Sequence, residues 1–490
     1  MGYFIGADLG TSSLKLLLVD EKGNIFNKSV REYAVSYPAP GWSEQNPETW
    51  WNAFVSGILD LLKGFDCSHV KGIGVGGQMH GLVALDENDA VIRPCILWND
   101  GRTAKETAYL NEVIGEKTLA ENTANIAFAG FTAPKILWMR ENEPENFTKI
   151  AKIMLPKDYL NYLLTGKHCC DYSDASGTLL LDVEKKKWSG KMLELCGLSE
   201  KQMPELFESY EIVGTLLPEV AKALGLGEIP VVAGAGDNAA AAVGTGTLTA
   251  GKCNISLGTS GTVFIPYDSF KSAENNSIHN FCHANGKYHL MGCILSAASC
   301  NKWFYEDILS TDDYEGEQSG ICDDKLGNNH VYFLPYLMGE RSPINDVDAR
   351  GAFIGMRADT KRINMTQAVL EGVAFVIKEN LEIAKSMGVK IEKSTVCGGG
   401  ARSKIWLKIL ANVLNMPLEI PKTEEGPSYG GAMLAMVATG EYESVEVCAK
   451  SLLSVKDTVY PDAKIVARYA ARYKKFEKIY PALKGVFKEI

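Results

Sequence analysis

Long apolar runs are missing from this sequence: none reaches the eighteen residues of a membrane-spanning helix, so a helical membrane protein is not expected. The N-terminus shows no basic stretch followed by an apolar core and a small-residue cleavage site. The Met1-Gly2 start also lacks the hydroxyl residue of a myristoylation signal, and the chain is expected in the cytoplasm. Long runs of Lys and Arg are missing too, and 50 Lys+Arg against 60 Asp+Glu leave a formal charge of −10. A phosphate backbone is repelled on average, so nucleic acid is not an expected partner. No CxxC pair occurs among the 12 cysteines, which read as reduced thiols. His279, Cys282, His283, His289 and Cys293 crowd together, but on strand-like segments whose side chains alternate between faces, so ordinary strand positions are expected there rather than zinc.

What is present is ordinary globular material: 46% hydrophobic and 22% charged residues over 490 positions. That length exceeds one hydrophobic core and predicts two large domains.

Two stretches repeat one pattern of apolar strand, Gly-Thr-Ser and apolar strand. The first is Phe4-Ile5-Gly6-Ala7-Asp8-Leu9-Gly10-Thr11-Ser12-Ser13, continuing through Leu16-Leu17-Leu18-Val19. The second is Ile255-Ser256-Leu257-Gly258-Thr259-Ser260-Gly261-Thr262-Val263-Phe264. The repeat predicts two related α/β domains, each opening on a hairpin whose turn exposes N–H groups and hydroxyls. Facing each other across a cleft, such turns would hold a nucleoside triphosphate from both sides.

Between the hairpins, Asn46-Pro47 predicts a capped helix continued by Trp51, Phe54, Val55, Ile58, Leu61 and Leu62. A strand over 70–75 runs into Gly76-Gly77-Gln78-Met79-His80-Gly81. Residues 103–225 read as mainly helical insertion material, and 229–233 as a strand leading to Gly236-Asp237-Asn238 and a short helix. The glycine-rich stretch 244–251 is the expected boundary, giving domains 1–245 and 246–490. The second half predicts helices over 365–387 and 428–438, a strand near 394–397, and a helix after Gly398-Gly399-Gly400-Ala401 with Ile405, Ile409, Leu410, Val413 and Leu414 on one face.

Three nucleotide signatures fit by spacing and fail on context. Residues 72–77 match G-x-G-x-x-G but lie within a strand with no helix following. Residues 234–239 match G-x-G-x-x-A, yet Asp237 would repel phosphate. Residues 246–252 have P-loop spacing, but Cys253 replaces the magnesium-binding hydroxyl and a strand follows.

Asp8 reads either as a turn carboxylate bonded to its own backbone or, beside phosphate, as a magnesium-directed residue. Lys15 either neutralises phosphate charge or faces solvent. Asp237 suits a helix N-cap or a general base for an alcohol. His80 occupies a tight glycine-flanked turn that a small hydroxylated molecule can approach, and residues 398–401 form either a packed turn or a flat backbone for a purine.

Together, Gly77-Gln78-Met79-His80-Gly81, Ile96-Leu97-Trp98-Asn99-Asp100-Gly101-Arg102, Phe131-Thr132-Ala133-Pro134-Lys135, Gly236-Asp237-Asn238-Ala239-Ala240, Gly339-Glu340-Arg341-Ser342-Pro343 and Gly398-Gly399-Gly400-Ala401-Arg402-Ser403 resemble the FGGY carbohydrate kinase family over nearly the whole chain. The resemblance implies two actin-like, ribonuclease H-like domains flanking a nucleotide and sugar cleft, with ATP and Mg2+. It implies Asp237 as general base, Met79, His80 and Asn238 on the sugar, and Asp8 toward magnesium, through water. Thr11, Ser12, Lys15 and Thr259 would face phosphate, with Gly399, Gly400 and Lys404 on the adenosine side. The Met79-His80 pair is similar to that of members acting on xylulose, so the implied reaction is γ-phosphoryl transfer to the C5 hydroxyl of D-xylulose by a homodimer. Other acceptors, among them L-ribulose, L-xylulose and gluconate, are the nearest alternative. A nucleotide-gated assembly or chaperone protein, actin- or Hsp70-like, would need neither the sugar turn nor the base.

Overall fold

The computed structural model describes every residue except 272–276 and 424. Two mixed sheets of seven strands each carry the fold. In the first, the main order is Ile212–Thr215, Pro230–Val232, Val70–Gly77, Tyr3–Leu9, Ser13–Asp20, Ile25–Glu32. In the second it is His279–Cys282, Tyr288–Ile294, Gly261–Tyr267, Gly251–Leu257, Ile391–Cys397, Leu418–Pro421, Val455–Val459.

Six strands of the two sheets correspond in order, and His279–Cys282 of the second has no counterpart in the first. Each sheet opens on an antiparallel hairpin, Tyr3–Leu9 with Ser13–Asp20 and Gly251–Leu257 with Gly261–Tyr267. The first strand of each hairpin pairs in parallel with a later strand, Val70–Gly77 or Ile391–Cys397. The repeated sequence pattern is thus a repeated supersecondary unit.

Local chemistry sets the elements. Helix Pro47–Leu61 starts where Asn46 caps the Glu48 N–H, at 3.1 Å, with proline in the first turn. Ser403 caps helix Lys404–Leu414 through the Trp406 N–H at 3.1 Å. Helix Arg362–Ser386 is buried against the second sheet. Residues 103–225 are mainly helical, as expected, but they also include short strands, and Ile212–Thr215 joins the first sheet outright. That strand has few apolar residues because it lies at a sheet edge, which weakens the periodic signal.

Helix Gly426–Ala438 packs on the first sheet although it comes from the second half of the chain. Glycines permit the approach: a Cβ at Gly6 would lie 1.8 Å from the Ser428 carbonyl oxygen, and one at Gly74 would lie 2.0 Å from that of Gly431. The 72–77 glycine pattern therefore seats a helix on a sheet and binds no dinucleotide there. The 246–252 stretch runs straight into strand Gly251–Leu257, with no helix after it.

His279, Cys282, His289 and Cys293 stand on two paired strands. Their imidazoles stack on phenylalanines, His279 on Phe281 at 5.3 Å and His289 on Phe264 at 4.0 Å. All twelve cysteines are unbridged. Among the described residues no helix is long and apolar enough to cross a membrane.

Candidate active site

Parallel register builds the first half of the site. Leu9 pairs with Gly77, and Gly77 pairs with Gly236, so three strand ends lie in one row. The next residues along each strand are the Gly10-Thr11-Ser12 turn, Gln78-Met79-His80, and Asp237. This is the carboxyl edge of parallel strands, where α/β sheets bind ligands.

The phosphate-type turn is held by its neighbours. Trp98 Nε1–H donates to Thr11 Oγ1 at 2.9 Å, and that hydroxyl donates to Gln78 Oε1 at 3.2 Å. Gln45 Nε2–H donates to the Thr11 carbonyl at 2.7 Å, and Gln78 N–H to the Leu9 carbonyl at 2.8 Å. The single hydroxyl proton of Thr11 is thereby engaged, so its side chain anchors the turn. Lys15 Nζ lies 3.0 Å from Glu425 Oε2 and does not simply face solvent.

Asp8, on the strand before the turn, has its carboxyl pushed up to about 7 by burial and by the nearby Asp237 charge. A buried carboxylate raised by a neighbouring carboxylate suits a cation beside it, which is the chemistry expected of a magnesium-directed aspartate.

His80 adopts φ +67, a left-handed conformation that costs a non-glycine residue about 1–3 kcal/mol. The surroundings enforce it. Lys135 Nζ donates to the His80 carbonyl at 2.8 Å and to that of Gly130 at 2.7 Å, and Thr132 Oγ1 to the His80 carbonyl at 3.1 Å. The Phe131-Thr132-Ala133-Pro134-Lys135 motif is therefore the buttress of the sugar-type turn. His80 Nδ1–H donates to the Gly177 carbonyl at 2.7 Å. Burial and the Lys135 charge push the ring down to about 3, so it is neutral and its Nε2 lone pair is an acceptor. Met79 is packed against Gly236, where an added Cβ would come within 2.9 Å of it.

Asp237 opens helix Asp237–Gly244 but does not cap it: the capping position is Gly236 and no side chain caps the helix. Its Oδ1 accepts from Asn238 N–H at 2.7 Å and from Asn238 Nδ2–H at 2.8 Å. That fixes the carboxylate, and among the described residues none donates to Oδ2. Burial pushes Asp237 up to about 6. It lines a cavity of about 230 Å³ with Asn238, Ser256, Thr262, Gly398 and Thr423.

A second, larger cavity of about 1200 Å³ gathers Thr259, Gly399, Gly400 and Lys404, with Asn301 and Gln318 also on its wall. The two cavities meet at the 398–400 turn. Gly398 has φ +88, and a Cβ there would sit 2.7 Å from the Leu257 carbonyl. This turn is thus both tightly packed and open-faced. Met79, His80, Asp8, Ser12 and Lys15 border neither of these two cavities.

Sequence reasoning missed a buried network behind Asp237. Lys157 is fully buried, with Nζ 2.5 Å from Asp158 Oδ1, 3.0 Å from Asp171 Oδ1 and 3.8 Å from Asp174 Oδ2. Burial alone would lower it, but the three carboxylates outweigh burial and hold it well above the usual lysine range. The network straps the strand end: Lys157 Nζ and Asn161 Nδ2 donate to the Ala233 carbonyl at 3.2 and 2.9 Å, and Gly236 N–H donates to Ser173 Oγ at 3.1 Å. The available signal was a Lys-Asp pair inside the apolar run 153–160.

Residues 3–244 match the FGGY family of carbohydrate kinases, N-terminal domain, and residues 253–439 its C-terminal domain. The chain is 41% identical over 483 residues to a xylulose kinase of Escherichia coli strain K12, covering 98% of this chain and 99% of that protein. It is 37% identical over 491 residues to a xylulose kinase of Bacillus subtilis strain 168, covering 99% and 98%. A solved structure described as a xyloylose kinase from Brucella ovis superposes with a TM-score of 0.94 at 40% identity, covering 99% of this chain and 100% of that one. The two-lobed architecture is the actin-like, ribonuclease H-like fold.

Proposed function

Because the chain belongs to the FGGY family of carbohydrate kinases and is an ATP-dependent sugar kinase, we propose that its acceptor is D-xylulose, phosphorylated at the C5 hydroxyl with Asp237 as general base. The observation that supports this reading is the row of strand ends Leu9, Gly77 and Gly236, from which the chain runs on within three residues to Thr11, His80 and Asp237. The curated relatives named xylulose kinase support the choice of sugar.

Asn238 holds one Asp237 oxygen, and the other accepts the hydroxyl proton as the alcohol attacks. The Nε2 of His80 accepts from a second sugar hydroxyl and, with Met79, orients the acceptor. Lys15, released from Glu425, and the turn around Thr11 and Ser12 stabilise phosphate charge as it moves, as Thr259 does from the opposite hairpin. The cavity around Gly399, Gly400 and Lys404 takes the adenosine half. Asp8 would direct Mg2+, which when bound neutralises phosphate charge. Closure of the lobes excludes water and so favours transfer over hydrolysis. Under this reading lobes 1–245 and 246–490 close on each other, and the enzyme works in the cytoplasm as a homodimer, which sedimentation checks.

ADP release measured over a panel of ketoses, polyols and sugar acids is expected to be fastest with D-xylulose. A larger kcat/KM for L-ribulose, L-xylulose or gluconate contradicts the assignment of the sugar but not of the chemistry. The pH dependence is a second test. A base must be unprotonated, so with Asp237 at about 6 the kcat/KM for sugar at saturating nucleotide is expected to fall about tenfold per pH unit below that value and to level off above it. A profile flat down to pH ~5 is incompatible with this base.

A further inference from the structure

Arg341 lies on the Gly339-Glu340-Arg341-Ser342-Pro343 turn, for which the mechanism above has no task. The turn is strongly held. Arg341 N–H and Leu295 N–H donate to Glu340 Oε1 at 2.9 and 2.8 Å, Ser342 N–H to the Cys293 carbonyl at 2.9 Å, and Asn345 N–H to the Arg341 carbonyl at 2.7 Å. From this base in the second lobe, the guanidinium reaches the first. Its central carbon is 5.3 Å from the Phe128 ring centre, and a Cβ at Gly130 would lie 3.4 Å from its Nη2. Phe128 and Gly130 directly precede Thr132 and Lys135, the buttress of the His80 turn. The guanidinium therefore stands beside the segment that buttresses the His80 turn.

Other buried or half-buried arginines have partners within the protein: Arg93 pairs with Glu44 and Glu143, Arg102 with Glu44 and Asp100, and Arg472 with Glu371, while Arg140, Arg350 and Arg468 donate to backbone carbonyls. Among the described residues Arg341 forms no ion pair with a carboxylate. A half-buried guanidinium without a carboxylate partner has N–H donors from which a ligand's oxygens can accept in place of water.

We propose that Arg341 binds oxygen atoms of the acceptor sugar from the second lobe, opposite Met79 and His80, so that the sugar bridges the lobes. This rests on the kinase reading of the His80 turn and not on which sugar is bound. The planar fork of donors suits neighbouring sugar oxygens, and a lysine does not reproduce it.

The test compares steady-state kinetics of Arg341→Met, Arg341→Lys, Arg341→Ala and Phe128→Leu with wild type, using the acceptor the panel identifies. Arg341→Met and Arg341→Lys are expected to raise the KM for sugar roughly 10- to 100-fold, the scale of lost charge-assisted hydrogen bonds, with the KM for ATP within about threefold. Added guanidinium is expected to lower the sugar KM of Arg341→Ala. Phe128→Leu, which removes a packing surface but no donor, is expected to leave the sugar KM within about threefold. An unchanged sugar KM in Arg341→Met, an equal rise in the KM for ATP, or a Phe128→Leu variant as impaired as Arg341→Met overturns the inference. A wild-type protein that phosphorylates no acceptor overturns the kinase reading beneath it, a separate result from an active wild type indifferent to Arg341.

Discussion

Asp237→Asn protein is expected to fold normally and to lose roughly 10²- to 10⁴-fold in kcat, about 3–5 kcal/mol of barrier, with a sugar KM within a few-fold of wild type. The asymmetry between kcat and KM follows from the site. Asparagine keeps the size of the side chain and an oxygen toward Asn238, whose N–H and Nδ2–H hold Oδ1 at 2.7 and 2.8 Å, so the acceptor still docks. What disappears is the basic oxygen that takes the hydroxyl proton. Coupled ADP-release kinetics on the purified variant check this, with circular dichroism to confirm folding. Near wild-type kcat would assign the base elsewhere, and a large rise in KM with kcat intact would make Asp237 a binding residue only.

Lys157→Met is expected to destabilise the protein by about 3–5 kcal/mol, the usual cost of removing one partner from a buried ionic cluster. Methionine matches the aliphatic stem but leaves Asp158, Asp171 and Asp174 buried without their cation, and takes a donor from the Ala233 carbonyl. Burial pushes Asp158 and Asp174 upward, so part of the loss is relieved by protonation and the defect is expected to be smaller at low pH. Urea unfolding of the variant at pH 5 and pH 8 checks both points. A midpoint equal to wild type at both pH values would mean that the cluster does not stabilise the strand end carrying Asp237.

What could be read from sequence divides along physical lines. The Gly-Thr-Ser hairpins were legible because strand, turn and strand chemistry are all local, and the same local pattern occurs twice. Helix Pro47–Leu61 was legible because Asn46 and Pro47 mark its start. Asp237 was visible as a polar residue between a strand and an alanine helix, but setting aside the cap reading required the helix's first turn, where no side-chain cap forms. Strand Ile212–Thr215 was lost because an edge strand needs little apolar periodicity. The glycines of 72–77 resemble a dinucleotide motif because close approach of a backbone calls for the same residue whether the visitor is a pyrophosphate or helix Gly426–Ala438. That helix is more than 350 positions away, a relation no local window contains. The Lys157 cluster was illegible for the same reason: a buried cation is defined by what surrounds it. Gln78 looked like part of a sugar motif, and only the fold shows it accepting the Thr11 hydroxyl's hydrogen bond.

The most direct test is a crystal structure of the complex with D-xylulose, Mg2+ and a non-hydrolysable ATP analogue. The C5 hydroxyl is expected within hydrogen-bond reach, about 2.6–3.2 Å, of the free oxygen of Asp237, and in line with the γ-phosphoryl group held between the Thr11 and Thr259 turns. A hydroxyl turned away from Asp237, or an analogue whose terminal phosphate lies outside the two turns, would contradict it.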